Sequence, residues 1–145
     1  MSEAVPTPDA DPAGDKHIVV AAVALVRDGH VLTVRKRGTE RFMLVGGKLE
    51  PGESAREAAL RETREEVGLE IASATLLGEF HSEAANEPDH TLHSTVFWVE
   101  SDAEPVASAE IAEVRWTSLD DHPDDLAPML EHHVLPMIRR TVLEP

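Results

Sequence analysis

The spacing of apolar and polar residues changes along the chain, and each change marks an element. Residues 17–26, "HIVVAAVALV", are apolar almost without a break, the pattern of a strand covered on both faces. Asp28-Gly29 follows, a dipeptide that favours a tight hairpin, and "VLTVRKR" (31–37) reads as the return strand. "RFMLVGG" (41–47) is a short strand ending in a glycine pair, and "LEPGES" (49–54) is a loop. Ser54 is placed to cap a helix, and Glu57, three residues on, completes a capping box. The run Ala55–Val67 contains good helix formers with no Gly or Pro, and Gly68 is placed to end it. Strands are expected near 74–81, 92–100 and 112–117. A second helix is expected over 124–140, kinked or broken at Pro136. Mostly strands, with one central and one C-terminal helix, predict a mixed β-sheet with helices packed on it, an α+β or αβα arrangement.

Composition narrows this picture. A chain of 145 residues makes one ordinary domain, and with 3% aromatics its core must be aliphatic. The absence of cysteine excludes disulfides and thiolate metal sites, and a reducing cytoplasm is the simplest compartment. No stretch is long and apolar enough to span a bilayer. The first residues, "MSEAVPTPDADPAGD", lack a basic n-region and an apolar h-region. They read as a disordered acidic tail over 1–16, ahead of a domain over 17–145. The net charge of −15 argues against binding duplex nucleic acid or an anionic membrane, since both recruit basic patches. A small anionic substrate remains compatible if cations screen its site. A homodimer is compatible with this layout.

One stretch asks for chemistry. "RETREEVG" (61–68) crowds Glu62, Glu65 and Glu66 onto a single helix. At about 100° per residue the three share one face, continued towards the helix start by Ala55, Ala58 and Ala59, while Leu60, Thr63 and Val67 turn towards a core. Like charges at these spacings cost about 0.2–0.5 kcal/mol per pair, and the last turns of a helix favour cations over anions. Arg61 can brace Glu57 and Glu65, but it is expected beside the cluster, so the remaining repulsion lacks a protein partner. A hard divalent cation such as Mg²⁺ is the natural one. The alternative is a solvated acidic face, the usual meaning of a Glu-rich helix.

The loop ahead of the helix suits a phosphate site. Gly46-Gly47 allows close backbone approach and offers a carbonyl, Lys48 is a compact cation, and Glu53 is placed to orient Arg61. Arg35, Lys36 and Arg37 close the second strand, where they can meet phosphates or bases or simply form a basic surface edge. His90 and His93 are three apart on a strand and point to opposite faces, which disfavours a zinc site. Of Phe97 and Trp98, at least one is expected in the core.

"GKLEPGESAREAALRETREEVGL" (47–69) resembles the Nudix box. Gly47, Glu53, Arg61, Glu62, Glu65, Glu66 and Gly68 stand at its charged and glycine positions, with Leu69 as the closing apolar residue. Thr63 departs from an aliphatic position, at an expected small cost in stability. The resemblance implies an αβα sandwich that hydrolyses a nucleoside diphosphate linked to another group, using Mg²⁺ or Mn²⁺. It implies that Glu65 and Glu66 bind metal with the Gly46 carbonyl, that Glu62 binds metal or activates water, and that Arg61 and Glu53 orient the site. Lys48, Arg35 and Arg37 are the candidate substrate contacts. MutT-type members add a glutamate from a later loop, and Glu110 fits that place better than Glu113.

The family's substrate markers point in one direction by elimination. The chain has no Tyr, which the dinucleoside polyphosphate hydrolases carry after the box, and Pro88 lies beyond the position of the ADP-ribose marker. The coenzyme A signature is not visible in "RKRGTERFMLVGG". The layout is MutT-like, favouring a (deoxy)nucleoside triphosphate split to monophosphate and pyrophosphate. Val45 replaces the usual Pro, and "DDLAPMLEHH" lacks an Asn that would read oxidised guanine. The alternatives are an ADP-ribose or nucleotide-sugar pyrophosphatase and a non-catalytic nucleotide-sensing module.

Overall fold

The computed structural model describes residues 17–83 and 89–143. The expected tail over 1–16 lies outside the described residues. Six strands and two helices follow in the order β1 (His17–Arg27), β2 (His30–Lys36), β3 (Met43–Lys48), α1 (Ala55–Val67), β4 (Thr75–Glu83), β5 (Thr91–Val99), β6 (Ile111–Ser118) and α2 (Leu135–Leu143). The strands form one mixed sheet in the order β4-β5-β1-β3-β2-β6. β1 runs parallel to β5, and the other pairings are antiparallel. β3 pairs with β2 through Met43 and Leu44 and with β1 through Val45–Lys48, so its glycine pair lies where the two halves of the sheet join.

The uninterrupted apolar run of β1 is explained by cover on both faces. Ala21, Val23 and Leu25 join Val45, Phe97, Ala58, Ala59 and Val67 under α1. Ala22 and Ala24 face the other way, into a cluster with Val96, Leu130, Val134, Leu135 and Ile138. The β1–β2 turn puts Asp28 (φ 53°) and Gly29 (φ 76°) in the left-handed region that a two-residue hairpin requires.

α1 begins and ends where its sequence signals lie. The Ser54 side chain accepts from the Glu57 N–H, and the Glu57 side chain accepts from the Ser54 N–H. Gly68 is left-handed at φ 72°, and its N–H and that of Leu69 satisfy carbonyls of Arg64 and Thr63 in the last turn. Thr63 is fully buried, and its hydroxyl donates to the Ala59 carbonyl at 2.7 Å, so the polar group in the core is paired.

The second helical segment differs from expectation. Residues 124–127 are not helical; Phe42 and Leu126 form an isolated bridge there. Helix begins at 128, passes through a π-helical turn at Leu130–Val134 and continues as α2. Pro136 therefore does not break the helix. The widened turn just before it fits a ring that lacks an N–H and crowds the carbonyl four residues back.

Candidate active site

α1 packs against β1 and β3, and small residues allow the close approach. A Cβ on Gly46 would fall 2.7 Å from Ala22 Cα, and one on Gly47 would collide with the Glu62 carboxylate. The glycine pair is thus a cradle shaped on one side by the sheet and on the other by a carboxylate.

Arg61 organises the charged side. Its Nε and Nη2 donate to the two oxygens of Glu53 at 2.7 and 2.9 Å, a bidentate pair. Nη2 also donates to the Lys48 carbonyl at 3.1 Å, while Nη1 donates to Glu62 at 3.1 Å and Glu65 at 3.3 Å. One guanidinium therefore ties the loop, the helix start and two of the three clustered carboxylates together. The expectation that Arg61 stands beside the cluster is corrected: it stands within it, because its planar fork reaches along the helix and back to the loop at once. Its partner Glu53 has a pKa lowered to about 2, first by the Arg61 hydrogen bond and then by the Glu50 N–H.

Glu66 is the outlier. Its side chain is 1% exposed, against 15% for Glu62 and 52% for Glu65. It lies on the buried side of α1 with Ala58, Ala59, Thr63 and Val67, and Leu60 is only half-buried, so the wheel is turned from the expected orientation. Gly46 N–H donates to Glu66 Oε1 at 3.3 Å. Oε2 is buried with no hydrogen-bond partner among the described residues, and Lys36 Nζ lies 3.7 Å from it. Burial pushes the Glu66 pKa up to about 8; the charge of Glu62, and the hydrogen bond that a protonated Glu66 would donate to it, add to the rise, and Lys36 and the Gly46 N–H oppose it. The repulsion does have protein partners, Arg61 for Glu62 and Glu65 and Lys36 for Glu66, the last too distant for a hydrogen bond.

A buried, unpartnered carboxylate oxygen beside a second carboxylate and a bare glycine cradle fits a divalent cation. Glu62, Glu65, Glu66 and the Gly46 carbonyl are the groups that would hold it. Among the described residues no three acidic or histidine side chains already converge as a ligand set, since Arg61 occupies the space between Glu62 and Glu65.

On the opposite face of the sheet lies a cavity of about 260 Å³. Its floor follows from strand register: Lys48, Val20 and Ser94 lie abreast across β3, β1 and β5, and Gly46, Ala22 and Val96 form the next row. Met129, Leu130 and Val134 roof it, with Met43 and Leu44 at the side and Lys36 and Lys48 contributing charge. The roof is anchored from outside. Arg115 holds Asp125 through two hydrogen bonds at 2.8 and 3.1 Å and lies 3.5 Å over the Phe42 ring. Phe42 in turn exchanges backbone hydrogen bonds with Asp125 and Ala127.

The other sequence candidates fall in different places. Lys48 is exposed and lines the cavity. Arg35 is engaged by Glu113 at 3.3 Å and by the Thr39 carbonyl, and neither Arg35 nor Arg37 lines the cavity. Lys36, between them, points the other way and reaches both the cavity and Glu66, as strand alternation requires. The loop before β6 hydrogen-bonds the end of α1, with the N–H groups of Val106 and Ser108 donating to the Val67 and Glu66 carbonyls. Glu110, at the end of that loop, accepts from the Arg37 N–H through its carbonyl, and its side chain is exposed. Glu113 is spent on Arg35. Phe97 is core and Trp98 half-buried on the other face; neither lines the cavity. His93 stacks on His81 across the strands at 4.2 Å and contacts Glu79.

The NUDIX domain model matches residues 15–140. The chain belongs to the NUDIX family. Among curated relatives, a Bacillus subtilis (strain 168) protein whose name provisionally assigns it 8-oxo-dGTP diphosphatase activity is 28% identical over 96 residues, 66% of this chain and 62% of its own length. The Escherichia coli (strain K12) CTP pyrophosphohydrolase is 34% identical over 83 residues, 54% of this chain and 61% of its own length. The matches thus span about three-fifths of these relatives. A crystal structure of a MutT NUDIX hydrolase from Burkholderia pseudomallei superposes with a TM-score of 0.74 at 26% identity, over 85% of this chain and 98% of that one. The six-stranded mixed sheet with its NUDIX helix agrees with that fold.

Proposed function

We propose that this NUDIX protein is a divalent-cation-dependent hydrolase of nucleoside triphosphates, releasing the monophosphate and pyrophosphate. The observation that carries this reading is the buried, unpartnered Glu66 oxygen set beside Glu62 and the Gly46-Gly47 cradle, with a cavity on the other side of the same glycines. A relative named CTP pyrophosphohydrolase supports the substrate class.

The chain's own residues divide the work. The cavity takes the nucleoside, and Lys36 and Lys48 meet the phosphates where it approaches the glycine pair. Arg61, locked by Glu53, holds Glu62 and Glu65 in place, and Glu62 accepts a proton from the attacking water. Glu110 joins the site from the loop tied to the end of α1. A bound Mg²⁺ or Mn²⁺ neutralises the diphosphate oxygens and acidifies that water. Water adds to one phosphorus, the bridging P–O bond breaks, and the leaving phosphate carries away the electron pair.

The test is a panel of nucleoside triphosphates, nucleotide sugars and ADP-ribose incubated with Mg²⁺ and Mn²⁺, with products identified by mass spectrometry. Monophosphate and pyrophosphate from triphosphates are expected. Nucleotide binding with no product from any member would overturn the reading in favour of a sensing module.

A further inference from the structure

Ser94 is 4% exposed, and its hydroxyl makes no hydrogen bond to any described residue, yet it lines the cavity. Its neighbours in the floor and roof are apolar, Val20, Ala22, Val96, Met129 and Leu130, and the charge comes from Lys36 and Lys48. A hydroxyl that opens onto an otherwise apolar stretch of a cavity is a directed contact for a ligand seated there.

Register gives its position. Ser94 and Lys48 are both opposite Val20, so they stand two strands apart, about 10 Å at the usual strand spacing. That is comparable to the reach of a nucleoside from its 5′ oxygen to the outer edge of its base. With phosphates held near Lys48, the outer edge of a base lying on the apolar floor arrives at Ser94.

We infer that Ser94 is a specificity residue that hydrogen-bonds the exocyclic group on the outer edge of the nucleobase. This rests on the nucleotide-hydrolase reading above. A hydroxyl donates one hydrogen bond and accepts others, so it meets an amino or a keto group equally by rotating. The cavity therefore selects for the presence of an exocyclic polar group and not for its identity.

Steady-state kcat/KM measured on matched triphosphates decides it: ATP, ITP and the purine riboside analogue without a 6-substituent. Wild type is expected to turn over ATP and ITP within about threefold of each other. Loss of the substituent is expected to cost about five- to tenfold, the size of one hydrogen bond. In Ser94→Ala that preference collapses to about one, while circular dichroism shows the fold retained, since only one oxygen leaves a strand paired on both sides. A preference that persists unchanged in Ser94→Ala, or a wild type indifferent to the substituent, overturns the assignment of Ser94 and leaves the hydrolase reading standing. A wild type that hydrolyses none of the three while binding them overturns both.

Discussion

On the α1 face of the sheet, one guanidinium gathers Glu53, Glu62 and Glu65 around it, and the carboxylate of Glu66 is buried beside them with one oxygen lacking a hydrogen-bond partner among the described residues. On the opposite face, a cavity of about 260 Å³ is walled mostly by aliphatic and methionine side chains, with the Ser94 hydroxyl in its floor and Lys36 and Lys48 contributing charge. The two meet at Gly46-Gly47, and Lys36 touches both. On the proposed function, the difference separates chemistry from recognition. Charge must be held rigidly where bonds break, so those residues fix one another. A base is held by shape and by displacing water, which needs apolar area and few directed contacts.

If this division is right, substitutions on the two faces alter different kinetic constants. The largest effect is expected from Glu62→Gln, which keeps the shape and removes the proposed base: kcat should fall about 10²–10⁴-fold with nucleotide affinity retained. A comparable loss of affinity, measured by calorimetry, would mean that the carboxylate serves binding and the division fails. Arg61→Lys keeps the charge but cannot maintain the bidentate grip on Glu53 and also reach Glu62 and Glu65. A fall in kcat of about 10–100-fold and a lower melting temperature are expected. On the cavity face, Val20→Phe should raise KM about tenfold while kcat changes little, since it removes binding common to ground and transition states. A drop in kcat with KM unchanged would place the cavity in the chemistry instead.

The pH dependence of stability without metal sharpens the comparison within the charged face. The pKa of Glu66 is raised from 4.5 to about 8, so the native state binds its proton more tightly than the unfolded chain. Its contribution is full below about pH 4.5 and is lost as pH rises through about 8. Glu53 has the opposite sign: its pKa is lowered from 4.5 to about 2, so its contribution is present above about pH 4.5 and lost as pH falls towards 2. Denaturant titrations of the chelator-treated protein should therefore show stability declining between about pH 4.5 and 8, with that decline flattened in Glu66→Gln. Added Mg²⁺ should reverse that decline in wild type only. The smallest effect is expected at Thr63→Val, where a satisfied hydroxyl gives way to a methyl of similar volume. Stability should stay within about 1 kcal/mol in urea unfolding, and a larger loss would show that the Ala59 hydrogen bond matters more than the packing.

Much of the charged face was legible because its signals are local. Ser54, Glu57 and Gly68 mark the ends of α1 within a few residues of themselves, and the box spacing survives any rotation of the helix. What the periodicity misjudged was that rotation. It put all three glutamates on one accessible face, whereas packing against β1 and β3 drew Glu66 inside and left Leu60 half out. The basic trio shows the same limit. Arg35 and Arg37 were the expected substrate contacts and Lys36 was passed over, whereas alternation along β2, and the partner Glu113 on β6, put Lys36 at the site and the two arginines away from it. The second helix was expected too early because nothing in residues 124–127 announces a bridge to Phe42 from far up the chain.

The sequence by itself determined the hairpin, the capped helix, the succession of strands along the chain and the set of carboxylates with their arginine, because each depends on residues a few positions apart and on backbone preferences that hold anywhere. Only the tertiary structure decided that Glu66 is buried with an unpartnered oxygen, that Lys36 bridges the two faces, and that Val20, Ser94 and Met129 enclose one cavity. Those facts depend on which strands lie side by side and in what register, a long-range outcome of burying apolar area from distant segments together, and no local spacing encodes it.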